Sequence, residues 1–383
     1  MISTMKFLKE IKRIFKQFFF LPFNIFGYLF STYFYDFFLS NKKKIHSGSI
    51  SLETKILIYV IFPTNGLNEF HLRTLNYFLN KGYSPIVVSN LKLKTEDQEK
   101  IKNKSSFLIE RENYGYDFGG WRDGIIFLKE KLTMLENLIL MNDSTWFPVT
   151  KGNDFVDFIQ KSKLDFVGGT SHYGLERPRI PSKREKLKTK FKFNFKTKNF
   201  HYASYALSFS NKILKDKNFF KFWKKLRLSN TYNVIVRNCE IGISQWVIKN
   251  GSFTHGSLID SSKIFELLNN YSREKLFEVT QSLIVNSVSV KTLLNKFSKS
   301  IETFSKEELI SLIMTVISRQ IIVFSLIDFL IKELNFPFLK KRLLNLDKDC
   351  SKKAIKLVQS LDASIKEDIF SEIDKSSSLN KFI

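Results

Sequence analysis

Residues 110–148 constrain the fold more than any other part of this sequence. Two polar clusters rich in Gly, Asn and Asp, ENYGYDFGGW and NDSTWFP, each follow a short apolar run, and a helix-like segment separates them. This is the spacing of one β-α-β unit, whose two parallel strands end at the same edge of a sheet. Because open α/β sheets bind ligands at that edge, we expect both clusters to lie beside one site.

Apolar strands and helical segments alternate on both sides of this unit. The continuous apolar run KILIYVIF is typical of a buried parallel strand. Helical periodicity predicts helices over 68–79 and 122–135. The alternation predicts an α/β fold with a doubly wound, mostly parallel sheet, whose strands lie at 55–62, 85–89, 106–110, 138–141 and 165–169. Residues 201–210 resemble a further strand.

Two regions of different character flank the α/β pattern. At the N-terminal side, residues 1–20 place apolar side chains at helical spacing with lysines between them, and an aromatic-rich run follows over 18–39. At the C-terminal side the pattern is helical almost throughout, and Ser305 with Glu308 predicts a capping box at the start of one of these helices. We therefore predict a membrane-associating segment (1–50), an α/β domain (51–258) and a helical C-terminal region (259–383).

A basic amphipathic helix next to an aromatic run favours attachment to the surface of an anionic bilayer. The aromatic run is borderline for a transmembrane helix, because Pro22, Asn24 and Asp36 interrupt the roughly 20 apolar residues that a span needs. The alternative is a helix packed on the body of the protein. The net charge of +24 favours a polyanionic partner, which leaves membrane, nucleic acid and phosphate-bearing substrates open.

Two further features bear on location and partners. The chain has only two cysteines, Cys239 and Cys350, which are too few for a disulfide scaffold and indicate a reducing compartment. Residues 181–198 contain eight basic residues and one acidic residue. This run predicts a mobile basic loop or an extended hairpin that contacts phosphate or lipid headgroups, or else a solvated charge run.

The first polar cluster combines glycines with hydrogen-bonding side chains. Gly115, Gly119 and Gly120 permit tight turns and close approach of a ligand. Asn113 and Asp117 can hydrogen-bond a base or a ribose. Glycine-rich turns also serve merely to connect elements, so this cluster alone does not define a site.

The second polar cluster, Asn142-Asp143-Ser144, follows the next strand. A carboxylate beside other oxygen ligands can hold Mg²⁺ or Mn²⁺ against a diphosphate. An Asx turn or a helix N-cap explains the same residues without a ligand. Asp143 is the single carboxylate here, so the sequence leaves metal dependence open.

Together, the two clusters resemble the nucleotide-binding half of a GT-A glycosyltransferase, in which an Asn/Gly-rich loop and a short helix precede a strand ending in a metal-binding Asp-X-Asp. Over residues 55–255 the chain is similar to the rhamnan-synthesis F family of bacterial polysaccharide glycosyltransferases. The resemblance is carried by KILIYVIF, IVVSN, IERENYGYDFGGW, LILMNDSTWFP, DFVGGT, HYASYALSFS and FFKFWKKL, and by Glu240 before ISQWVIKNG.

The resemblance assigns roles to particular residues. It implies that Asp143 and Ser144 face the diphosphate, that Asp143 holds any metal, and that the acceptor lies near His201, Ser204 and Tyr205. Ala203 stands where the family usually has Gln, so contacts there differ. The resemblance also implies a donor site lined by Asn113, Gly115, Asp117, Gly120, Trp121, Asn142 and Ser144.

Glu240 is the candidate catalytic base. An inverting transfer needs a carboxylate to take the proton from the acceptor hydroxyl as it attacks the anomeric carbon. It also needs positive charge to stabilise the leaving nucleoside diphosphate. The alternative is a glutamate at a helix N-terminus that the helix dipole stabilises.

The resemblance implies an inverting rhamnosyltransferase that uses dTDP-rhamnose, with Mg²⁺ or Mn²⁺ as a potential cofactor. Its acceptor would be a polyprenyl-diphosphate-linked glycan at the inner face of the plasma membrane. Two alternatives stay open: a non-catalytic basic protein that binds membrane or nucleic acid, and a glycosyltransferase fold without turnover. The sequence lacks zinc-finger spacing and RNA-binding aromatic motifs, so we expect no specific nucleic acid partner.

Overall fold

A nine-stranded mixed sheet forms the centre of the protein. The computed structural model describes residues 30–152, 154–181, 183–184, 187 and 190–376. The strands are β1 (Lys44–Ser47), β2 (Lys55–Ile61), β3 (Ser84–Ser89), β4 (Phe107–Glu110), β5 (Asn137–Asn142), β6 (Thr145–Trp146), β7 (Phe166–His172), β8 (His201–Tyr202), β9 (Ala206–Ser210), β10 (His255–Ile259) and β11 (Leu339–Lys340).

Helices cover both faces of the sheet and make up most of the C-terminal region. The α-helices are α1 (Glu69–Asn80), α2 (Thr95–Lys102), α3 (Tyr116–Phe127), α4 (Phe155–Ser162), α5 (Asn211–Leu214), α6 (Lys217–Lys224), α7 (Tyr232–Ile235), α8 (Ile241–Asn250), α9 (Ser261–Asn270), α10 (Arg273–Ser282), α11 (Val288–Phe297), α12 (Lys306–Ile317), α13 (Ile322–Ser325), α14 (Ile327–Leu334), α15 (Lys348–Gln359) and α16 (Ala363–Lys375). Short 3₁₀ or π turns lie at Tyr35–Leu39, Ser40–Lys42, Lys129–Met134, Val236–Glu240, Ile301–Thr303 and Lys341–Asn345.

The strand order is β1-β4-β3-β2-β5-β9-β7-β10, with β8 paired to β7 beside this path. Strands β2 to β5 are mutually parallel where they pair, whereas β9 runs antiparallel between β5 and β7. The chain moves outward from β2 to β3 and β4, and then returns to place β5 on the other side of β2. This reversal creates a switch point between β2 and β5, and the predicted α/β class with a mostly parallel sheet is confirmed.

The glycine-rich cluster is part of a helix, which differs from the predicted helix start at residue 122. Gly115, with φ of +79°, leads into α3, and the helix then lies directly on the sheet. A Cβ at Gly120 would stand 2.8 Å from Val60, and one at Gly124 would stand 2.9 Å from Ile58. These glycines therefore allow close packing of α3 on β2, and that packing outweighs their low helix propensity.

The segment predicted as one strand over 201–210 forms two short strands. Strand β8 pairs with β7 through Ser171 and Tyr202, and β9 pairs with both β5 and β7. The chain changes pairing partner at residues 203–205, where the Ala203 amide donates to the Thr170 carbonyl at 2.8 Å. This change places Ser204 and Tyr205 at the end of the sheet.

The C-terminal helices pack on the sheet in one continuous core. That core joins Tyr59 of β2, Phe78 of α1 and Met141 of β5 to Leu312 of α12 and Leu330 of α14. The predicted capping box of Ser305 and Glu308 is confirmed at the start of α12. In a second sheet, β11 pairs with β6, so the C-terminal region reaches the end of β5.

The predicted amphipathic helix at 1–20 lies outside the described residues, as does the first part of the 18–39 run. The described part docks on α3. Arg122 donates to both carboxylate oxygens of Asp36 at 2.7 and 2.9 Å, and Tyr35 is buried beside Arg111. In the described residues, we find no helix with the length and hydropathy needed to cross a bilayer.

The described part of the basic run at 181–198 shows strand-like pairing. The Glu176 amide donates to the Lys192 carbonyl at 3.0 Å, and the Asn194 amide donates to the Gly174 carbonyl at 2.8 Å. Arg184 donates to Glu308 at 2.6 Å, which ties the run to α12. These contacts agree with the extended hairpin among the predicted alternatives.

Candidate active site

A cavity of about 760 Å³ opens at the carboxyl ends of β5 and β7. Its walls come from the start of α3, the segment before α8, and the C-terminal region. The cavity brings together many of the residues singled out from sequence: Asp117, Asn142, Ser144, His201, Ser204, Tyr205 and Glu240.

Hydrogen bonds fix the orientation of the polar groups at the end of β5. Asn142 Nδ2 donates to Asp117 Oδ2 at 2.7 Å, which joins the two clusters found in the sequence. Asn142 Oδ1 accepts from the Ser144 amide at 3.2 Å and from its hydroxyl at 2.5 Å. Burial, aided by the charges of Asp143 and Glu240, raises the pKa of Asp117 to about 7, against the opposing effect of Lys340.

The raised pKa of Asp117 predicts a pH-dependent gain in stability for Asp117→Asn. Its folded pKa of about 7 lies above the ordinary value of 3.8, so the ionised carboxyl weakens the fold as pH rises between these values. We expect the asparagine variant to be roughly 1–3 kcal/mol more stable at pH 8, after allowance for partial solvent screening, and the gain to shrink towards pH 4.

Urea unfolding at pH 5 and pH 8 measures this difference. The exposed Asp374 offers a matched control, and Asp374→Asn should leave the free energy of unfolding nearly unchanged at both pH values. An equal gain for Asp117→Asn at both pH values would contradict the titration of this group.

Glu240 reaches the cavity from the last residue of the π turn before α8. Its Oε1 accepts from the Ser204 amide at 2.8 Å. This bond aligns the carboxylate with the break between β8 and β9. Glu240, Ser204 and Tyr205 therefore line one continuous part of the cavity wall.

A histidine pair, His172 and His201, also lines the cavity. His201 Nδ1 donates to the Asn199 carbonyl at 2.8 Å, which fixes the orientation of the ring. The His172 ring lies 5.2 Å from it, centroid to centroid. Burial, together with the charges of His201 and Lys340, lowers the pKa of His172 to about 3 and keeps that ring neutral.

Lys340 is a cavity residue that the sequence reasoning missed. It lies on β11 opposite Thr145 of β6. Its Nζ donates to Ser144 Oγ at 3.0 Å and lies 4.4 Å from the centre of the Tyr205 ring. Arg342 follows it on the cavity wall. A two-residue strand has no periodicity that a sequence pattern could reveal, so nothing local marks this lysine.

Asp143 points away from the cavity centre, towards the end of β2. Its Oδ2 accepts from the Phe62 amide at 2.7 Å and from His71 Nε2 at 3.2 Å. His71 Nδ1 accepts from the Asn68 amide, which fixes the proton on Nε2. Burial alone would raise the pKa of Asp143, but His71, Lys341 and the Phe62 amide lower it, so this carboxylate is ionised.

The other residues that the resemblance placed at the donor site do not line this cavity. Trp121 is fully buried, and its Nε1 donates to the Met141 carbonyl at 3.1 Å. Gly120 faces Val60, and the Gly115 amide donates to Asn230 Oδ1 at 2.9 Å. Asn113 is exposed outside the cavity lining. The structure gives Trp121 and Gly120 a role in packing α3 on the sheet.

The side chains around Asp143 do not form a good site for a divalent cation. In the part of the chain that the structure describes, no cluster of three or more His, Cys, Asp or Glu is placed to hold a metal. One oxygen of Asp143 already accepts two hydrogen bonds, and the adjacent Ser144 hydroxyl contacts an ammonium group. The expected Mg²⁺ or Mn²⁺ site at Asp143 therefore does not fit these residues.

The chain is similar to a known protein family, to a bacterial protein and to a solved structure. Residues 85–320 match the model of a family described as rhamnan synthesis protein F. A protein of Sinorhizobium fredii (strain NBRC 101917 / NGR234), named "Uncharacterized protein y4gN", is 33% identical over 245 residues, or 64% of this chain and 59% of that protein. The mannosyltransferase Ktr4p of S. cerevisiae aligns with 48% of this chain and 63% of its own, at 10% identity and a TM-score of 0.25.

Proposed function

The chain belongs to the rhamnan synthesis protein F family, and from that premise we propose that it is a glycosyltransferase of cell-surface polysaccharide synthesis. The chain spans about three fifths of the length of the Sinorhizobium relative, 59%. The proposal therefore concerns only the reaction in the cavity described above, and not the activity of the whole relative. The description of the family, rhamnan synthesis, also supports rhamnose as the transferred sugar.

The observation that carries the proposal is the position of the cavity. It lies at the carboxyl ends of parallel strands, next to the switch point between β2 and β5, where α/β sheets bind nucleotides. Its volume, about 760 Å³, is in the range of sites that enclose a small-molecule ligand. The strand order and the two polar clusters support a GT-A-like donor site for a nucleotide sugar.

The side chains of the cavity support an inverting transfer. In this proposal the Glu240 carboxylate takes the proton of the acceptor hydroxyl as its oxygen attacks the anomeric carbon. The bond from that carbon to the diphosphate breaks at the same time. The Ser204 amide holds Glu240 at 2.8 Å, and His201, oriented by the Asn199 carbonyl, contacts the acceptor. Asp117 and Asn142 bind the nucleoside portion of the donor.

A panel of nucleotide sugars tests the proposal directly. Thermal shift of the full chain should identify a donor, and a transfer assay on a lipid-linked acceptor should then detect turnover. We expect selective stabilisation by dTDP-rhamnose. Absence of a shift with any nucleotide sugar, together with tight salt-sensitive binding to nucleic acid, would contradict a glycosyltransferase and favour a non-catalytic basic protein.

A lipid-linked acceptor requires contact with the membrane, and the N-terminal segment supports it. Phe37 and Phe38 are 70% and 65% exposed, and the exposed Lys42 and Lys44 follow them. Aromatic side chains beside basic residues suit the interface of an anionic leaflet. We propose that this surface attaches the protein to the inner face of the plasma membrane.

The double variant Phe37→Ser, Phe38→Ser should weaken binding to phosphatidylserine vesicles by about 10- to 100-fold, since two phenyl groups no longer leave water. Co-sedimentation at several lipid concentrations measures the change. Val288 is 80% exposed on α11, so Val288→Ser is a matched control that should bind as the unmodified chain does. Unchanged binding by the double variant would remove these phenylalanines from the attachment surface.

A further inference from the structure

The proposed transfer leaves a nucleoside diphosphate that carries concentrated negative charge. A glycosyl transfer site must offset that charge with a metal or with fixed cations as the sugar–phosphate bond breaks. The residues at Asp143 do not fit a divalent metal. The source of positive charge must therefore lie on another wall of the same cavity.

The C-terminal region supplies that wall. Antiparallel pairing sets Lys340 opposite Thr145, directly after the Asn142-Asp143-Ser144 cluster. Its Nζ lies 3.0 Å from Ser144 Oγ and above the Tyr205 ring, which holds the ammonium group at the end of β5. A diphosphate bound beside Ser144 would contact this ammonium group.

We propose that Lys340, assisted by Arg342, binds the diphosphate of the donor and offsets its charge as it leaves, so that transfer needs no divalent cation. This inference rests on the proposed function. The new bond joins the acceptor oxygen to the anomeric carbon, and the proton of the acceptor hydroxyl passes to Glu240. The electron pair of the breaking bond stays on the diphosphate oxygen. Lys340 donates a hydrogen bond to that oxygen.

The charges around Lys340 agree with this role. Asp117 on α3 and Glu240 before α8 face it, and Arg342 lies on the same strand-to-turn segment. Burial lowers the pKa of Lys340 to about 8, while Asp117 and Glu240 partly oppose that effect. The neighbouring His172 is neutral and adds no charge. Lys340 therefore lies in surroundings whose carboxylates favour its charged form, and the phosphates of a bound anionic ligand would add further negative charge.

Calorimetric titration of the full chain with dTDP or UDP, in EDTA, tests the proposal. We expect the unmodified protein to bind a nucleoside diphosphate without metal. Lys340→Met should weaken that binding by about 10- to 100-fold, since a charged hydrogen bond is lost, and Lys340→Arg should retain most of it. Lys348 is exposed on α15, so Lys348→Met is a matched control that should bind normally.

The pH dependence gives a second readout. Affinity of the unmodified protein should fall as pH rises through about 8, because Lys340 loses its proton. The arginine variant keeps its charge and should lose that fall. Asp117 also titrates near pH 7, so the comparison is repeated in the Asp117→Asn background.

Two results would overturn the inference and leave the proposed function intact. One is nucleoside diphosphate binding that EDTA abolishes and Mn²⁺ restores. The other is unchanged binding by a correctly folded Lys340→Met variant. If the unmodified chain binds no nucleoside diphosphate with or without Mn²⁺, both this inference and the proposed function are wrong.

Discussion

Glu240→Gln is expected to lower the rate of sugar transfer by about 100- to 10,000-fold, the usual contribution of a general base. Donor affinity should stay nearly unchanged. The glutamine side chain keeps the size of glutamate, and its carbonyl oxygen can still accept from the Ser204 amide, which the Glu240 carboxylate contacts at 2.8 Å. The variant therefore removes the proton acceptor and leaves the wall of the cavity in place.

Single-turnover kinetics with saturating donor measures this loss separately from binding. Glu266 is exposed on α9, and Glu266→Gln is a matched control that should transfer at the normal rate. Normal turnover by Glu240→Gln would exclude Glu240 as the base. A parallel loss of donor affinity would indicate that the glutamate mainly positions other groups in the cavity.

Asp123→Ala should produce the largest loss of stability among these predictions, about 3–5 kcal/mol. Its carboxylate is 1% exposed and accepts from Arg111 Nε at 2.7 Å, and Arg111 is itself completely buried. The Tyr35 hydroxyl also donates to this carboxylate. Removing Asp123 leaves the Arg111 guanidinium without its charged partner in the core beneath α3.

Urea unfolding at neutral pH measures the effect. Lys43 contacts the other oxygen of Asp123 at 3.0 Å but is 21% exposed, so Lys43→Ala is a suitable control and should cost less than about 1 kcal/mol. A similar small loss for Asp123→Ala would mean that water reaches Arg111 when the carboxylate is absent.

The central strands could be predicted because their local sequence pattern is typical of one structure, a buried strand. Runs such as KILIYVIF are continuous in aliphatic and aromatic residues, and β2 is buried along nearly all of its length. The capping box of Ser305 and Glu308 was likewise predictable, because both of its hydrogen bonds join residues three apart. The position of the candidate site could be predicted because its two polar clusters directly follow predicted strands.

Other features of the fold and the site depend on distant residues, and the sequence pattern does not predict them. The segment DFGGW has low helix propensity, yet it forms the first half of α3 because a side chain at Gly120 would collide with Val60. The direction of Asp143 is set by a histidine that caps α1. The placement of Lys340 depends on a pairing that joins β11 to β6. Sequence spacing carries no signal for any of these contacts.

The pairing of β11 with β6 has a consequence for how the protein is made. Translation delivers every strand of the nine-stranded sheet before Lys340 leaves the ribosome, since that sheet is complete at Ile259. A nascent chain can thus fold its sheet while the cavity still lacks one wall. Whatever chemistry this cavity performs therefore begins only after the C-terminal region has been synthesised and has docked.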